Sequence, residues 1–264
     1  MRWIELAREL KTSEQDRCQR SWRVSWSLCL LLAGIACAPS HAQTASDTAV
    51  PAVAPAEIIR RMVKQNEDRT EHLKYYTAVR HYHIDARDLG KTFTADMHAQ
   101  ITYTPGTGKT FQVLDKSGSH LLLDKVLLKL LETERDDSLQ KRTALTPSNY
   151  SFVFQAQTVE NGQPLYIFVV EPKVKNRLLY RGKLWIDATD YAVVRVQAQP
   201  AENPSFWIKN TEIDNTYSKN GQFWLPQTNR SESKVRFGGK AVLTIDYGTY
   251  RFDEPLSTMP TTGH

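Results

Sequence analysis

The sequence predicts a mainly β protein with two helices. The expected architecture is a single curved antiparallel sheet of about 10–11 strands, an incomplete barrel with an N-terminal helix and an inserted helix covering its open side. Three observations lead there. Runs rich in β-branched and aromatic residues follow one another from Tyr75 to Arg251. Short turn signals such as Asn161-Gly162 and Asn220-Gly221 separate them, and connections this short force antiparallel pairing. Two stretches, from Pro55 and from Ser119, break the alternation with helical spacing.

The chain begins with a leader. Arg17, Arg20 and Arg23 precede an apolar run from Trp26 to Ala38. That run is about 13 residues long, whereas a membrane-spanning helix needs roughly 20. Small residues follow, and Ser40-His41-Ala42 before Gln43 fits the narrow pockets of a signal peptidase. Residues 1–42 are therefore expected to be a signal peptide with a long n-region, cut between Ala42 and Gln43, leaving a periplasmic or secreted protein. Lipid anchoring at Cys37 is the alternative, although Gly34 stands where lipoprotein signals usually carry a large aliphatic residue. The long n-region also leaves the true translation start open.

The three cysteines, Cys18, Cys29 and Cys37, all precede Ala42. The mature part then has no disulfide, thiol nucleophile or thiolate metal site. Six basic and four acidic residues fall before Ala42, so the remainder carries 28 against 25. A net charge near +3 is too small to argue for nucleic acid.

Residues 43–55 are rich in Ala, Thr and Pro and read as a flexible linker. A helix starts at Pro55, with Glu57 at its N-terminal dipole. Ile59, Met62, Val63 and Leu73 lie opposite Arg60, Arg61, Lys64 and Glu67. Tyr75–Asp85 and Thr92–Tyr103 flank a turn at Asp88-Leu89-Gly90, and Thr110–Leu114 follows Pro105-Gly106. The inserted helix spans Ser119–Glu134, where Leu123, Leu127, Leu130 and Leu131 form one stripe broadened by Leu121, Leu122, Val126 and Leu128. Three hairpins come next: Tyr150–Thr158 with Leu165–Glu171, Leu179–Asp187 with Tyr191–Gln199, and Phe206–Tyr217 with Gln222–Ser233. Lys240–Arg251 closes the set. Residues 56–252 thus read as one domain and 253–264 as a disordered tail.

Candidate chemistry is sparse. Thr104-Pro105-Gly106-Thr107-Gly108-Lys109-Thr110 is half a phosphate loop, but Tyr103 occupies the place of the first glycine and a strand follows, so it reads as a hairpin turn. His81 and His83 share a strand face that Asp96 and His98 could approach, yet a chance cluster on a solvated strand is the commoner outcome and no metal is expected. Glu132, Glu134, Asp136 and Asp137, beside Arg135 and Lys141-Arg142, read as a solvated charge cluster at a helix end. Trp185, Trp207 and Trp224 read as strand-face packing. There is no Gly-x-Ser-x-Gly elbow. The protein is expected not to be an enzyme and to need no cofactor.

Longer phrases near the C-terminus are more distinctive. They are Tyr180-Arg181-Gly182-Lys183-Leu184-Trp185-Ile186-Asp187, Tyr191-Ala192-Val193-Val194-Arg195-Val196, Asn220-Gly221-Gln222-Phe223-Trp224-Leu225-Pro226 and Ile245-Asp246-Tyr247-Gly248-Thr249-Tyr250-Arg251-Phe252. Together with the order of elements, they resemble the outer-membrane lipoprotein-sorting superfamily, the LolA/LolB-like proteins. The resemblance implies an incomplete barrel with an apolar cavity beneath its helices. It also implies either carriage of lipid or lipoprotein acyl chains or, as the alternative, an envelope sensor or scaffold binding a protein. The partners expected are thus an acyl chain and an inner- or outer-membrane protein, with no nucleic acid and a monomeric state.

Alternation selects the cavity-lining candidates. Leu184 and Ile186 oppose Trp185, while Ala192, Val194 and Val196 oppose Arg195 and Gln197. The expected lining is Leu123, Leu127, Leu130, Phe152, Phe154, Phe168, Leu184, Ile186, Val194, Val196, Leu243 and Ile245.

Overall fold

The computed structural model describes residues 53–88, 90–134, 142–176, 178–203, 208–235 and 239–252. All of them fall within one compact unit, Ala49–His264. The proposed cleavage site at Ala42 and Gln43, Cys37, Trp207 and the acidic pair Asp136-Asp137 lie outside the described residues.

Helix α1 (Pro55–His72) begins with proline at its first position, where no amide hydrogen is needed. Its first turn is tied by Glu57, which accepts hydrogen bonds from Arg60 (2.7 and 2.6 Å) and Arg61 (2.7 Å). These bonds pull the Glu57 carboxyl down to about 2. The buried stripe is Ile58, Ile59 and Met62.

Three strands follow: β1 (Tyr76–Asp88), β2 (Lys91–Thr104) and β3 (Gly108–Gly118). The inserted helix, α2, comes next. It is not uniform: α-helical His120–Leu122 and Leu128–Glu134 enclose a π-helical stretch, Leu123–Leu127. Seven strands complete the fold: β4 (Tyr150–Glu160), β5 (Gln163–Pro172), β6 (Tyr180–Asp187), β7 (Val193–Pro200), β8 (Ile208–Asn220), β9 (Phe223–Val235) and β10 (Lys240–Asp246).

All ten strands form one antiparallel sheet in the order β3-β2-β1-β10-β9-β8-β7-β6-β5-β4. The sheet is open, with β3 and β4 as its edges. It is a meander cut and rejoined: the first strand pairs with the last, His81 opposite Asp246 through Arg87 opposite Lys240. α2 therefore sits in the connection between the two edges, against β2 and β3. Mainly β, open and antiparallel, with an N-terminal and an inserted helix, is the architecture expected from the sequence. Among the described residues no helix is long and apolar enough to cross a membrane.

Local chemistry accounts for the joints. Asn161 and Gly162 both have positive φ (52° and 79°), the mirror-image turn that matches strand twist. The Thr104–Gly108 segment is a hairpin turn between β2 and β3, as its sequence suggested. β10 stops five residues earlier than expected because Gly248 turns the chain at φ 63°. A side-chain carbon there would stand 2.1 Å from the Val79 carbonyl oxygen. The chain then rejoins β1 through paired hydrogen bonds between Thr77 and Arg251, both 2.8 Å.

Candidate binding face

Register places one row of side chains on a common face across the sheet: Phe154, Phe168, Leu184, Val196, Asn215, Asn229, Ile245, Tyr82 and Met97. A neighbouring row runs Val170, Gly182, Ala198, Ile213, Ser231, Leu243, Ile84 and Ala95. This inner face carries both helices and divides into three zones.

The first zone is the lobe beneath α1. Ile58, Ile59 and Met62 pack with Tyr150, Tyr166, Phe168, Val170, Leu184, Ile186, Val193 and Val196, while Phe152 and Phe154 lie at its margin. Phe168 and Phe154 meet edge to face at 5.5 Å. Phe168, Leu184, Ile186 and Met62 are wholly covered, so the lobe is filled by its own side chains.

The second zone lies on β1, β2 and β10, with α2 alongside. Tyr82, Ile84, Met97, Ile101 and Ile245 are buried here. On α2, Leu122, Leu123, Leu127 and Leu131 are buried and Leu130 is partly covered. The third zone, the strip over β8 and β9 between the lobes, is polar. Asn229 donates to Asn215, Ser231 donates to the Asn229 side-chain amide oxygen Oδ1 at 3.1 Å, and the Thr211 and Ser233 hydroxyls are 3.0 Å apart. These side chains are mostly half-exposed.

The expected lining residues divide accordingly. Phe152, Phe154, Phe168, Leu184, Ile186 and Val196 gather in the α1 lobe. Leu243 and Ile245 share the inner face by register with Ile84 and Tyr82, and Leu123, Leu127 and Leu130 come from α2. Val194 is the correction. Trp185 pairs with Arg195 and Ile186 with Val193, which leaves Val194 as the extra residue of a bulge. The bulge turns Val194 to the opposite face, against Trp185 and Leu165, and delivers Val193 to the lobe instead. The shared face read for Ala192, Val194 and Val196 does not hold, because strict alternation cannot foresee an inserted residue. Trp185 and Trp224 pack in that outer cluster; Trp185 donates to Glu160 at 3.1 Å and lies under the Arg195 guanidinium at 5.3 Å.

A second correction concerns the charge cluster at the end of α2. Glu134 is not simply solvated. Its carboxylate accepts a 2.7 Å hydrogen bond from Arg80, which points inward from β1 with 2% of its side chain exposed. Burial opposes the Arg80 charge, but Glu134, with Tyr82 and Tyr247, outweighs it and holds the guanidinium pKa above its ordinary value. The guanidinium also stands 4.5 Å from the Tyr247 ring centre. Burial keeps the surrounding phenols protonated, pushing Tyr82 up to about 12. The pair fastens α2 to the sheet. Only one sequence signal could have found it: an arginine on the apolar parity of β1, between Ala78 and Tyr82.

On the outer face, β1 and β2 bring the histidines together. His81 Nε2 and His83 Nδ1 both reach Asp96 Oδ1, at 2.9 and 2.8 Å, and His98 stacks on His81 at 4.5 Å. His98 in turn reaches Asp115 at 2.9 Å. Among the described residues no group of three or more His, Cys, Asp or Glu is arranged to hold a metal ion. The hydrogen bond that His83 donates to the Asp96 carboxylate raises the His83 pKa. Burial opposes the Asp96 charge, but His83 and His81 outweigh it and lower the Asp96 pKa. The His83 contribution is fully present below its unfolded pKa, about 6.5, and is lost as pH rises through the higher folded value. The Asp96 contribution is present above the unfolded carboxylate value and is lost as pH falls through the lower folded one. Asp96→Asn is therefore expected to cost most stability in mildly acidic buffer and least above neutrality. Urea midpoints measured across pH check this, with an effect of ~0.2–1 kcal/mol for so exposed a cluster.

Two open depressions lie at the surface, the first at the margin of the α1 lobe. One of about 180 Å³ separates the C-terminal half of α1 from the β8–β9 turn and is lined by Gln65, Arg69, His72, Val193 and Trp224 among others. The other, about 630 Å³, is a charged groove on the outer face with Arg181, Lys183, Glu212, Asp214 and Arg230.

No family model matches this sequence, and no curated protein matches it. Solved structures of similar fold include a putative outer membrane lipoprotein-sorting protein domain from Vibrio parahaemolyticus (13% identity, TM-score 0.40, covering 76% of this chain and 95% of that one). A LolA superfamily protein from Nitrosomonas europaea is 9% identical, with TM-score 0.37 and coverage of 77% and 96%. MucB, solved in complex with MucA(peri), is 10% identical, with TM-score 0.22 and coverage of 76% and 99%. The first two carry the name of the superfamily read from the C-terminal phrases. At such values the function rests on this chain's own geometry.

Proposed function

We propose that this chain is an exported, non-catalytic binding protein that takes an apolar chain, such as a lipid or lipoprotein acyl chain, against the inner face of its sheet. The observation that carries the reading is the division of that face. Two apolar lobes, each with a helix, flank a half-exposed strip that nothing among the described residues fills. Both lobes are closed by their own side chains, so a guest must displace a helix. α2 is the one built to move: its middle is π-helical, a geometry that interrupts the regular ladder. The Glu134 carboxylate, paired with Arg80 at 2.7 Å and with Lys109 at 3.8 Å, and a leucine stripe hold it down. Lifting it exposes Tyr82, Ile84, Met97 and Ile245 beside the Asn215–Asn229–Ser231 strip. An acyl chain gains roughly 0.8 kcal/mol per buried methylene, while the strip offers amides and hydroxyls to the ester or amide linkage of an amphiphile.

The test is saturable uptake of a fluorescent acyl chain by protein purified from an exporting host, together with native mass spectrometry for a retained lipid. Binding that rises when α2 is loosened by Glu134→Ala is the expected result. An empty protein that takes up no acyl probe in either form overturns it. The filled lobes also support a second reading, an envelope module that binds a protein partner. Co-purification of a membrane protein, unaffected by detergent stripping of lipid, favours that reading.

A further inference from the structure

The two edges of the open sheet are protected very differently. β3 carries Lys109, Asp115 and Lys116; a helix lies beside each edge, α2 at β3 and α1 at β4, so the difference is in the strands themselves. β4 runs eleven residues, Tyr-Ser-Phe-Val-Phe-Gln-Ala-Gln-Thr-Val-Glu, with no lysine, arginine or proline and one charge at its far end. Natural edge strands are usually blunted by such residues because their free amides and carbonyls recruit other strands. Apolar exposure also gathers here: Val153 is 63% exposed, and Val174 and Leu178, in the loop beyond β5, are 68% and 46% exposed.

The free backbone groups can be assigned. The Lys173 amide donates to the Asn149 carbonyl at 2.8 Å, and Pro172, opposite Tyr150, has no amide hydrogen to give. Residues of an antiparallel pair alternate between facing their partner strand and facing away. Ser151 and Val153, like Asn149, therefore turn their backbone toward β5, and Tyr150, Phe152 and Phe154 turn theirs outward; the Tyr150 amide already donates to the Thr146 carbonyl at 2.9 Å, which leaves the Tyr150 carbonyl, Phe152 and the Phe154 amide for a second copy. The bulge at Gln155 ends this regular stretch.

We infer that the Tyr150–Phe154 edge pairs antiparallel with the same edge of a second copy, about a two-fold axis at Phe152, making a continuous sheet across a dimer. The segment is self-complementary in that register. Phe152 meets its counterpart, Tyr150 meets Phe154, and Ser151 meets Val153, so the two Phe152 residues exchange both backbone bonds, each Phe154 amide donates to the facing Tyr150 carbonyl, and aromatic side chains stand opposite one another on the inner face. No charge within the segment repels a second copy, whereas β3 would set Asp115 and Lys116 into any such contact. This dimer stands in place of the monomer expected from the sequence, and it does not depend on what the inner face binds.

Sedimentation equilibrium of the purified chain tests it with two double variants at exposed positions. Ser151→Lys with Val153→Lys sets lysines opposite lysines and is expected to weaken dimerisation by about tenfold or more. Ser151→Glu with Val153→Lys sets opposite charges across the same axis and is expected to restore a dimer that loosens with salt. Thermal melts of both variants close to wild type confirm folding. A wild-type chain that stays monomeric overturns the inference, including one whose β4 is occupied by its own residues 43–52. So does a dimer that ignores the lysine pair, or a glutamate–lysine variant as weak as the lysine–lysine one.

Discussion

Glu134→Ala should lower unfolding stability by about 3 kcal/mol, at the low end for a buried pair that loses one partner. The loss is not the worth of one hydrogen bond. It is the cost of leaving Arg80 charged at 2% exposure with its carboxylate gone. The low end applies because Glu134 keeps a fifth of its side chain in solvent, so water can follow. Arg80 also has an Nε without a partner, which leaves little capacity to rearrange. The double variant Arg80→Met with Glu134→Ala removes the stranded charge and should recover most of the stability, since buried ion pairs are often replaceable by apolar groups of similar volume. Urea denaturation of the single and double variants reads this directly. Equal destabilisation of the two would mean that the charge is not what matters. Hydrogen exchange should localise the single variant's loss to α2, the element the pair holds down.

Phe168→Ala should cost about 3–5 kcal/mol. Phe168 is wholly buried, pairs with Leu184 across β5 and β6, and meets Phe154 edge to face. Deleting the ring leaves a void ringed by strands that cannot collapse onto it without breaking register. The same denaturation measurement checks it, and a loss below about 1 kcal/mol would show a loosely filled lobe. The void is also informative about function. If the inner face accepts apolar chains, this variant should bind a short acyl probe more tightly than wild type, because the guest refills the volume vacated by phenyl.

Much of the architecture could be read from residues alone. The hairpins were legible because Asn161-Gly162 and Gly221 force local turns whose geometry does not depend on the rest of the chain. Alternation in β5, β6 and β7 correctly gathered Phe168, Leu184, Ile186 and Val196, since each sits on a regular stretch of ladder. Val194 was misread where a single extra residue inverted the parity. The α2 leucines were legible as a broad stripe, whereas the π-helical middle was not, because i to i+4 spacing alone looks the same in both geometries over one turn. Arg80 and Glu134 were invisible as a pair: 54 residues separate them in the chain, and the apolar parity of Arg80 does not say which carboxylate meets it.

What the sequence determined by itself was local: strand and helix identity, turn positions and the apolar side of most elements, all set by interactions within a few residues. What the tertiary structure decided was everything that depends on which strands meet. It joined β1 to β10, left β3 and β4 as edges, carried Asn215, Asn229 and Ser231 onto the face shared by both lobes, and brought Glu134 to Arg80. The physical reason is that pairing between distant strands is chosen by the burial of whole faces, a sum over many residues that no short stretch of the chain contains.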